Sequence, residues 1–246
     1  MLIDFYIVVH SINLINFFEE TKKYKDLINY KYLLVGKHET DYSSESIIQC
    51  DRLPDNIEDK NYYLAYTGWY ALARNININS NYICLLEYDT DIMEDFNLNN
   101  FKDYIKNTNS ECYGLTCGDI KSDIFNRTQF TDKMLDYLKS IDIREIKPNT
   151  TKWITTNNII CKPEFFKAYI NDSLILGFLE YLDNHIMSGH FLERVLTVYC
   201  FLKQITFNIF EQSGLQHRGL DSHKTQNIHS SHRGYEQFKA INKISD

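Results

Sequence analysis

Three carboxylates spaced two apart, Glu87, Asp89 and Asp91, close the apolar run Asn81-Tyr-Ile-Cys-Leu-Leu86, and Glu94 and Asp95 follow just beyond. Such a run reads as a strand buried on both faces of a sheet. An acidic cluster at its carboxyl end is electrostatically costly unless a cation or a hydrogen-bond network compensates it. Hard oxygen ligands suit Mg²⁺ or Mn²⁺, ions that keep positions open for phosphate oxygens. The plainer reading is an ordinary strand running into an acidic, solvated turn. Asp-x-Asp occurs often by chance, so the rest of the chain must decide.

Histidine is the next chemistry-bearing type. Four of the 8 histidines, His217, His223, His229 and His232, lie within residues 211–246. A histidine-bearing tail can fold over a site and supply a metal ligand or phosphate contacts. His229 and His232, in serine-rich sequence, read as part of a polar terminus. His217, in Gln216-His-Arg-Gly, stands one short loop after the final strand expected below. His10 and Ser11 end the first apolar run, where they could touch a base or ribose, or simply cap a helix. Arg74 and the tyrosines before it offer contacts to a diphosphate. Their alternative is an aromatic core helix with polar tips.

For these groups to meet, an α/β sheet must bring strand ends together, because ligands bind at the carboxyl ends of strands in open α/β sheets. The hydrophobic pattern supplies one. Leu2–Val9 reads as a strand, followed by a helix to about Tyr24 with Leu14, Phe17, Phe18 and Thr21 at helical spacing. Strands are expected at Tyr32–Gly36 and Ser46–Leu53, the second closed by Pro54. Asp55-Asn-Ile-Glu58 has capping-box spacing and predicts a helix from there to about Asn75. Beyond the acidic strand the pattern gives a helix at Asn100–Lys106, a strand at Cys112–Thr116, a helix at Thr131–Ser140 and one strand over Trp153–Cys161. Helices at Pro163–Ile170, Leu174–His185 and Gly189–Leu202 and a last strand at Ile205–Phe210 complete it.

Composition narrows the function classes. A chain of 246 residues with 43% hydrophobic content and 3 prolines can bury a large core and is not extensively disordered. Its formal charge of −7 argues against a general nucleic-acid partner. No apolar run is long enough to cross a bilayer, and the N-terminus lacks signal-peptide features, which leaves peripheral membrane contact open. Six cysteines without Cys-x-x-Cys spacing read as reduced thiols in a cytoplasmic protein.

Three segments then carry a resemblance. Tyr63-Leu-Ala-Tyr-Thr-Gly-Trp-Tyr-Ala-Leu72 with Tyr82-Ile-Cys-Leu-Leu-Glu-Tyr-Asp-Thr-Asp91, Thr156-Asn-Asn-Ile-Ile-Cys-Lys-Pro-Glu-Phe-Phe166, and His190-Phe-Leu-Glu-Arg-Val-Leu-Thr-Val-Tyr199 resemble the GT-A glycosyltransferases, more narrowly those of capsule, lipopolysaccharide and large-virus glycan synthesis. The resemblance implies one GT-A-like α/β domain over 1–246. Residues 1–119 would form a Rossmann-like nucleotide-sugar-binding half with a central mixed sheet, 120–210 the acceptor-side helices, and 211–246 a His-rich tail. It implies a hexosyltransferase-like enzyme of polysaccharide biosynthesis that takes a nucleotide sugar, usually a UDP-sugar, to a glycan or glycoconjugate acceptor, with Mn²⁺ or Mg²⁺ bridging the phosphates. Asp89 and Asp91 match the Asp-x-Asp metal motif, and His217 matches a C-terminal histidine that completes the metal shell in some relatives. His10, Ser11, Arg74, Glu87, Tyr88 and Asp89 become candidate nucleotide-sugar contacts. An inverting reaction needs a base for the acceptor hydroxyl, for which Glu193 and Asp183 on or near the late helices are candidates, whereas a retaining reaction would not need that base, and the sequence does not choose between the two. Glu193 beside Arg194 has the alternative of a helix-anchoring ion pair.

Two other classes compete. A nucleotidyltransferase would carry a glycine- and basic-rich loop after the first strand, and Val9-His-Ser-Ile-Asn-Leu-Ile-Asn16 has no glycine. A non-catalytic nucleotide- or carbohydrate-binding module could equally use the 18 tyrosines for stacking.

Overall fold

Alternation along the first strand decides the layering. In β1 (Ile3–Val9), Phe5, Ile7 and Val9 pack into one core while Tyr6 and Val8 pack into another, and all five are buried. A strand sealed on both faces belongs inside a helix-covered sheet. The computed structural model describes residues 1–119, 128–154 and 156–217.

The further strands are β2 (Tyr30–Leu34), β3 (Ile47–Gln49), β4 (Tyr82–Glu87), β5 (Thr90–Ile92), β6 (Cys112–Gly114), β7 (Cys117–Asp119), β8 (Lys152–Ile154), β9 (Ile159–Cys161), β10 (Asn208–Ile209) and β11 (Leu215–His217). The helices are α1 (Ile12–Thr21), α2 (Ala65–Asn75), α3 (Leu98–Thr108), α4 (Thr128–Ser140), α5 (Pro163–Asn171), α6 (Ser173–Leu182) and α7 (Ser188–Leu202). A seven-stranded sheet runs in the order β10-β6-β9-β4-β1-β2-β3. β3, β2, β1 and β4 are parallel, β9 is antiparallel to both β4 and β6, and β10 is parallel to β6. Two short pairs, β5 with β11 and β7 with β8, stand beside it. α1 and α3 cover one face, and α2 with α4–α7 the other.

Chain order reverses across β1, whose neighbours are β2 and β4. The carboxyl ends of β1 and β4 therefore flank a crevice, the place where open α/β sheets bind ligands. The register sets Val8 opposite Glu87, which puts His10 and the acidic turn on the same edge.

Three sequence expectations change. α2 starts at Ala65, ten residues after the expected capping box. Asp55 instead faces back onto the far end of that helix, where its carboxylate pairs with Arg74 and its backbone exchanges hydrogen bonds with the Asn75 amide. Glu58 turns inward, and its Oε2 accepts the Gly36 N–H at 2.6 Å. The strand expected over Trp153–Cys161 is two strands, because β8 pairs with β7 while β9 enters the central sheet. The strand expected at Ser46–Leu53 is short and gives way to a single 3-10 turn at Cys50–Arg52. Among the described residues, no helix is long and apolar enough to cross a membrane.

Candidate active site

β4 ends at Glu87 and β5 begins at Thr90, so Tyr88 and Asp89 form the turn between them. β11 returns antiparallel to β5 and sets His217 opposite Thr90. Its Nε2 lies 3.1 Å from Glu87 Oε2 and 3.2 Å from Asp89 Oδ1. One potential ligand atom from each of Glu87, Asp89 and His217 lies within 4.8 Å of the other two. Burial pulls the His217 pKa down, but the two carboxylates more than offset it and push it up to about 10. Burial likewise opposes ionisation of Asp89, yet His217 holds its carboxyl below the usual range.

The turn is held by two asparagines just before β9. Asn158 Oδ1 accepts the Glu87 N–H at 2.8 Å and the Thr90 hydroxyl at 2.9 Å. Asn157 Nδ2 donates to Glu87 Oε1 at 3.0 Å, leaving Oε2 to face His217. Buried polar groups need such partners, and each of these bonds reaches about seventy residues along the chain.

Above the turn lies a cavity of about 560 Å³. Its floor is the ends of β1 and β2 (Val8, Val9, His10 and Val35) and its rim includes Leu64 and Ala65 at the start of α2. Glu87, Tyr88, Asp89 and His217 form one wall, and His190 and Glu193 of α7 another. His10 meets the Tyr88 ring edge-on, with centroids 5.0 Å apart. α7 is buried almost all round, which fixes where Glu193 can point. Glu193 Oε2 is paired with Arg194, which lies over the Trp153 ring, and Oε1 is 3.7 Å from His190 Nδ1. That carboxylate raises the His190 pKa against the opposing effect of burial.

Of the residues singled out from the sequence, His10, Glu87, Tyr88, Asp89, Glu193 and His217 come together around this cavity. The others do not line it. Ser11 caps α1, accepting the Asn13 N–H. Asp91 Oδ1 lies 3.6 Å from Lys23 Nζ. Arg74 and Asp183 border a separate cavity of about 460 Å³. There Arg74 pairs with Asp55 and Asn171 and lies over the Tyr70 ring. Asp183 is the left-handed cap of α6, exposed and 3.7 Å from Lys60. His223, His229, His232 and the rest of the tail from 218 onward lie outside the described residues. Sequence reasoning missed Lys23 and gave no role of their own to His190, Asn157 and Asn158, although these three stand in the segments that carry the resemblance. The His-x-x-Glu spacing on α7 was a usable signal for His190.

No protein-family model and no curated protein matches the chain. Among solved structures, the apo form of the bifunctional glycosyltransferase WbbM superposes with a TM-score of 0.52 over 88% of this chain, at 14% identity. The chain has a glycosyltransferase fold. It spans 45% of the WbbM chain, so the likeness covers less than half of that protein.

Among the described residues, Asp89 Oδ1 and His217 Nδ1 are buried without hydrogen-bond partners. For Asp89 the nearest positive group is the imidazole at 3.2 Å, close enough for an ion pair but without hydrogen-bond geometry. Two carboxylates and an imidazole converging with an unsatisfied buried oxygen fit a divalent ion that accepts mixed oxygen and nitrogen ligands.

Proposed function

We propose that this protein is a metal-dependent glycosyltransferase that moves a sugar from a nucleotide-sugar donor, a UDP-sugar, to a hydroxyl of a glycan or glycoconjugate. The observation that carries the reading is the convergence of Glu87, Asp89 and His217 on one wall of the cavity at the β1/β4 crevice. These three residues would hold Mn²⁺ or Mg²⁺. When bound, the ion supplies countercharge to the diphosphate as it leaves. Val8, Val9 and Val35 offer an apolar floor to the nucleoside, with His10 braced against Tyr88 beside it.

Of the two carboxylates considered as base, Glu193 lines this cavity and Asp183 lines another. With Oε2 committed to Arg194, Glu193 Oε1 takes the acceptor hydroxyl proton as the new glycosidic bond forms and the old sugar–phosphate bond breaks. The bond's electron pair leaves with the nucleoside diphosphate, and the anomeric centre inverts. A nucleotidyltransferase is disfavoured further by Ser11, which already caps the α1 N–H that a phosphate loop would offer.

The test is a panel of UDP-sugars incubated with Mn²⁺ and followed by UDP release. Turnover is expected for at least one donor and should fall by about 100-fold or more in Asp89→Ala and His217→Ala. Turnover unchanged by both substitutions would remove the triad from the reaction.

A further inference from the structure

The turn that carries Asp89 is also gripped by the chain leaving α1. Lys22 caps that helix in the left-handed region (φ 54°), and the next residue, Lys23, donates its backbone N–H to Phe18. The Lys23 side chain is only 8% exposed. It donates to the Tyr88 carbonyl at 2.6 Å, lies 3.6 Å from Asp91 Oδ1, and sits 4.5 Å from the Phe18 ring centre and 5.0 Å from that of Tyr24. Tyr24 donates its hydroxyl to the same Tyr88 carbonyl at 3.2 Å. Burying an ammonium costs several kcal/mol unless its surroundings compensate. Here a carbonyl, a carboxylate and two aromatic faces do so.

The Tyr88 peptide is the hinge between Glu87 and Asp89, so its carbonyl orientation sets where the Asp89 carboxylate points. We propose that Lys23, assisted by Tyr24, is a positioning residue that locks the Tyr88 peptide so that Asp89 meets Glu87 and His217, and that it engages Asp91 as its own counter-ion. The inference rests on the metal reading above.

Through-space charge and positioning predict opposite signs. A cation beside the triad repels a second one, so a purely electrostatic Lys23 would be expected to weaken metal binding, and its removal to tighten it. A clamp strengthens metal binding, so its removal weakens it. The experiment is Mn²⁺ titration of the full chain, without nucleotide, read from loss of the free-ion EPR signal. Lys23→Met should bind Mn²⁺ about tenfold or more weakly, the size expected for an outer partner of a metal ligand. Tyr24→Phe, which changes no charge, should weaken binding by roughly twofold or more, from the loss of one hydrogen bond. Lys23→Arg should recover part of the loss. Asp91→Asn alone should stay within about threefold of wild type, since it removes no ligand. Where Lys23→Met unfolds because the part-buried Asp91 loses this ion pair, the double variant Lys23→Met/Asp91→Asn removes both charges. It should fold and still bind weakly. Wild-type or tighter binding by Lys23→Met or by the double variant overturns the proposal, as does a tenfold loss in Asp91→Asn. A wild-type chain that leaves the EPR signal unchanged would instead remove the metal reading, and this inference with it.

Discussion

Glu193 is held by two neighbours on its own helix, Arg194 at one oxygen and His190 near the other. An ion pair that only anchored α7 would face protein on all sides, whereas both Glu193 and His190 line the cavity. Glu193→Gln keeps the shape and removes the proton acceptor. Its kcat should fall by about 10²–10⁴ with little change in donor KM, measured by UDP release, while Asp183→Asn should leave both constants near wild type. Equal losses in the two variants would place the base elsewhere. The residue-level site was partly legible in the sequence. Asp89 and His217 could be picked out because few residue types bind metals, and Glu87 because it ends the same strand. Asp91 looked equivalent to Asp89, but β5 starts at Thr90 and the lone-strand view hides that Lys23 meets Asp91 from α1. Lys23, Asn157 and Asn158 act through partners more than sixty residues away, a separation no local motif encodes.

At the scale of elements, continuous apolar runs made β1 and β4 readable, since side chains on both faces are buried. The start of α2 was not. The Asp55–Glu58 spacing satisfies a capping box on paper, yet both carboxylates are spent on tertiary contacts, and Leu64, at φ 52°, enters the helix with no side-chain cap. Leu64 thereby stands at the cavity rim. Glu58 has a measurable consequence. Burial pushes its pKa above the usual carboxylate value, although the Gly36 N–H pulls the other way. A folded pKa above the unfolded one means the folded state binds the proton more tightly, so Glu58 costs stability as pH rises through that window. Glu58→Gln keeps an acceptor for Gly36 and removes the charge. Its melting temperature should exceed wild type by roughly 2 °C at pH 7.5, with the gap closing near pH 4. A gap that persists or grows toward acid would contradict this. The short β9 was hidden for a different reason. Its antiparallel insertion between β4 and β6 is a long-range pairing, and Asn157 and Asn158, which precede it, look like ordinary polar loop residues.

Over the whole molecule, two cores sandwich one sheet, and five of the six cysteines are buried in or beside them. Burial raises the thiol pKa of Cys50, Cys84, Cys112, Cys161 and Cys200. Cys117, part-exposed, is pushed up to about 11 by burial and by the Glu211 carboxylate that accepts its S–H. Thiol titration of the native protein at neutral pH should therefore report at most one slow thiol, and all six after unfolding. Several fast native thiols would contradict this packing. The sequence disclosed the α/β class and the acidic strand end. The meeting of β11 with β5, which makes the triad, is a fact of topology alone. On the function proposed above, this topology builds a cation-dependent nucleotide-sugar site. Thermal unfolding with UDP-sugars, with and without Mn²⁺, measures it without needing an acceptor. At ligand near 100 times Kd, binding adds about 2.7 kcal/mol, a rise of roughly 5 °C or more. That rise is expected only when UDP-sugar and Mn²⁺ are both present, and it should be lost in Asp89→Ala. No shift for any nucleotide sugar with Mn²⁺, or an undiminished shift in Asp89→Ala, would contradict it.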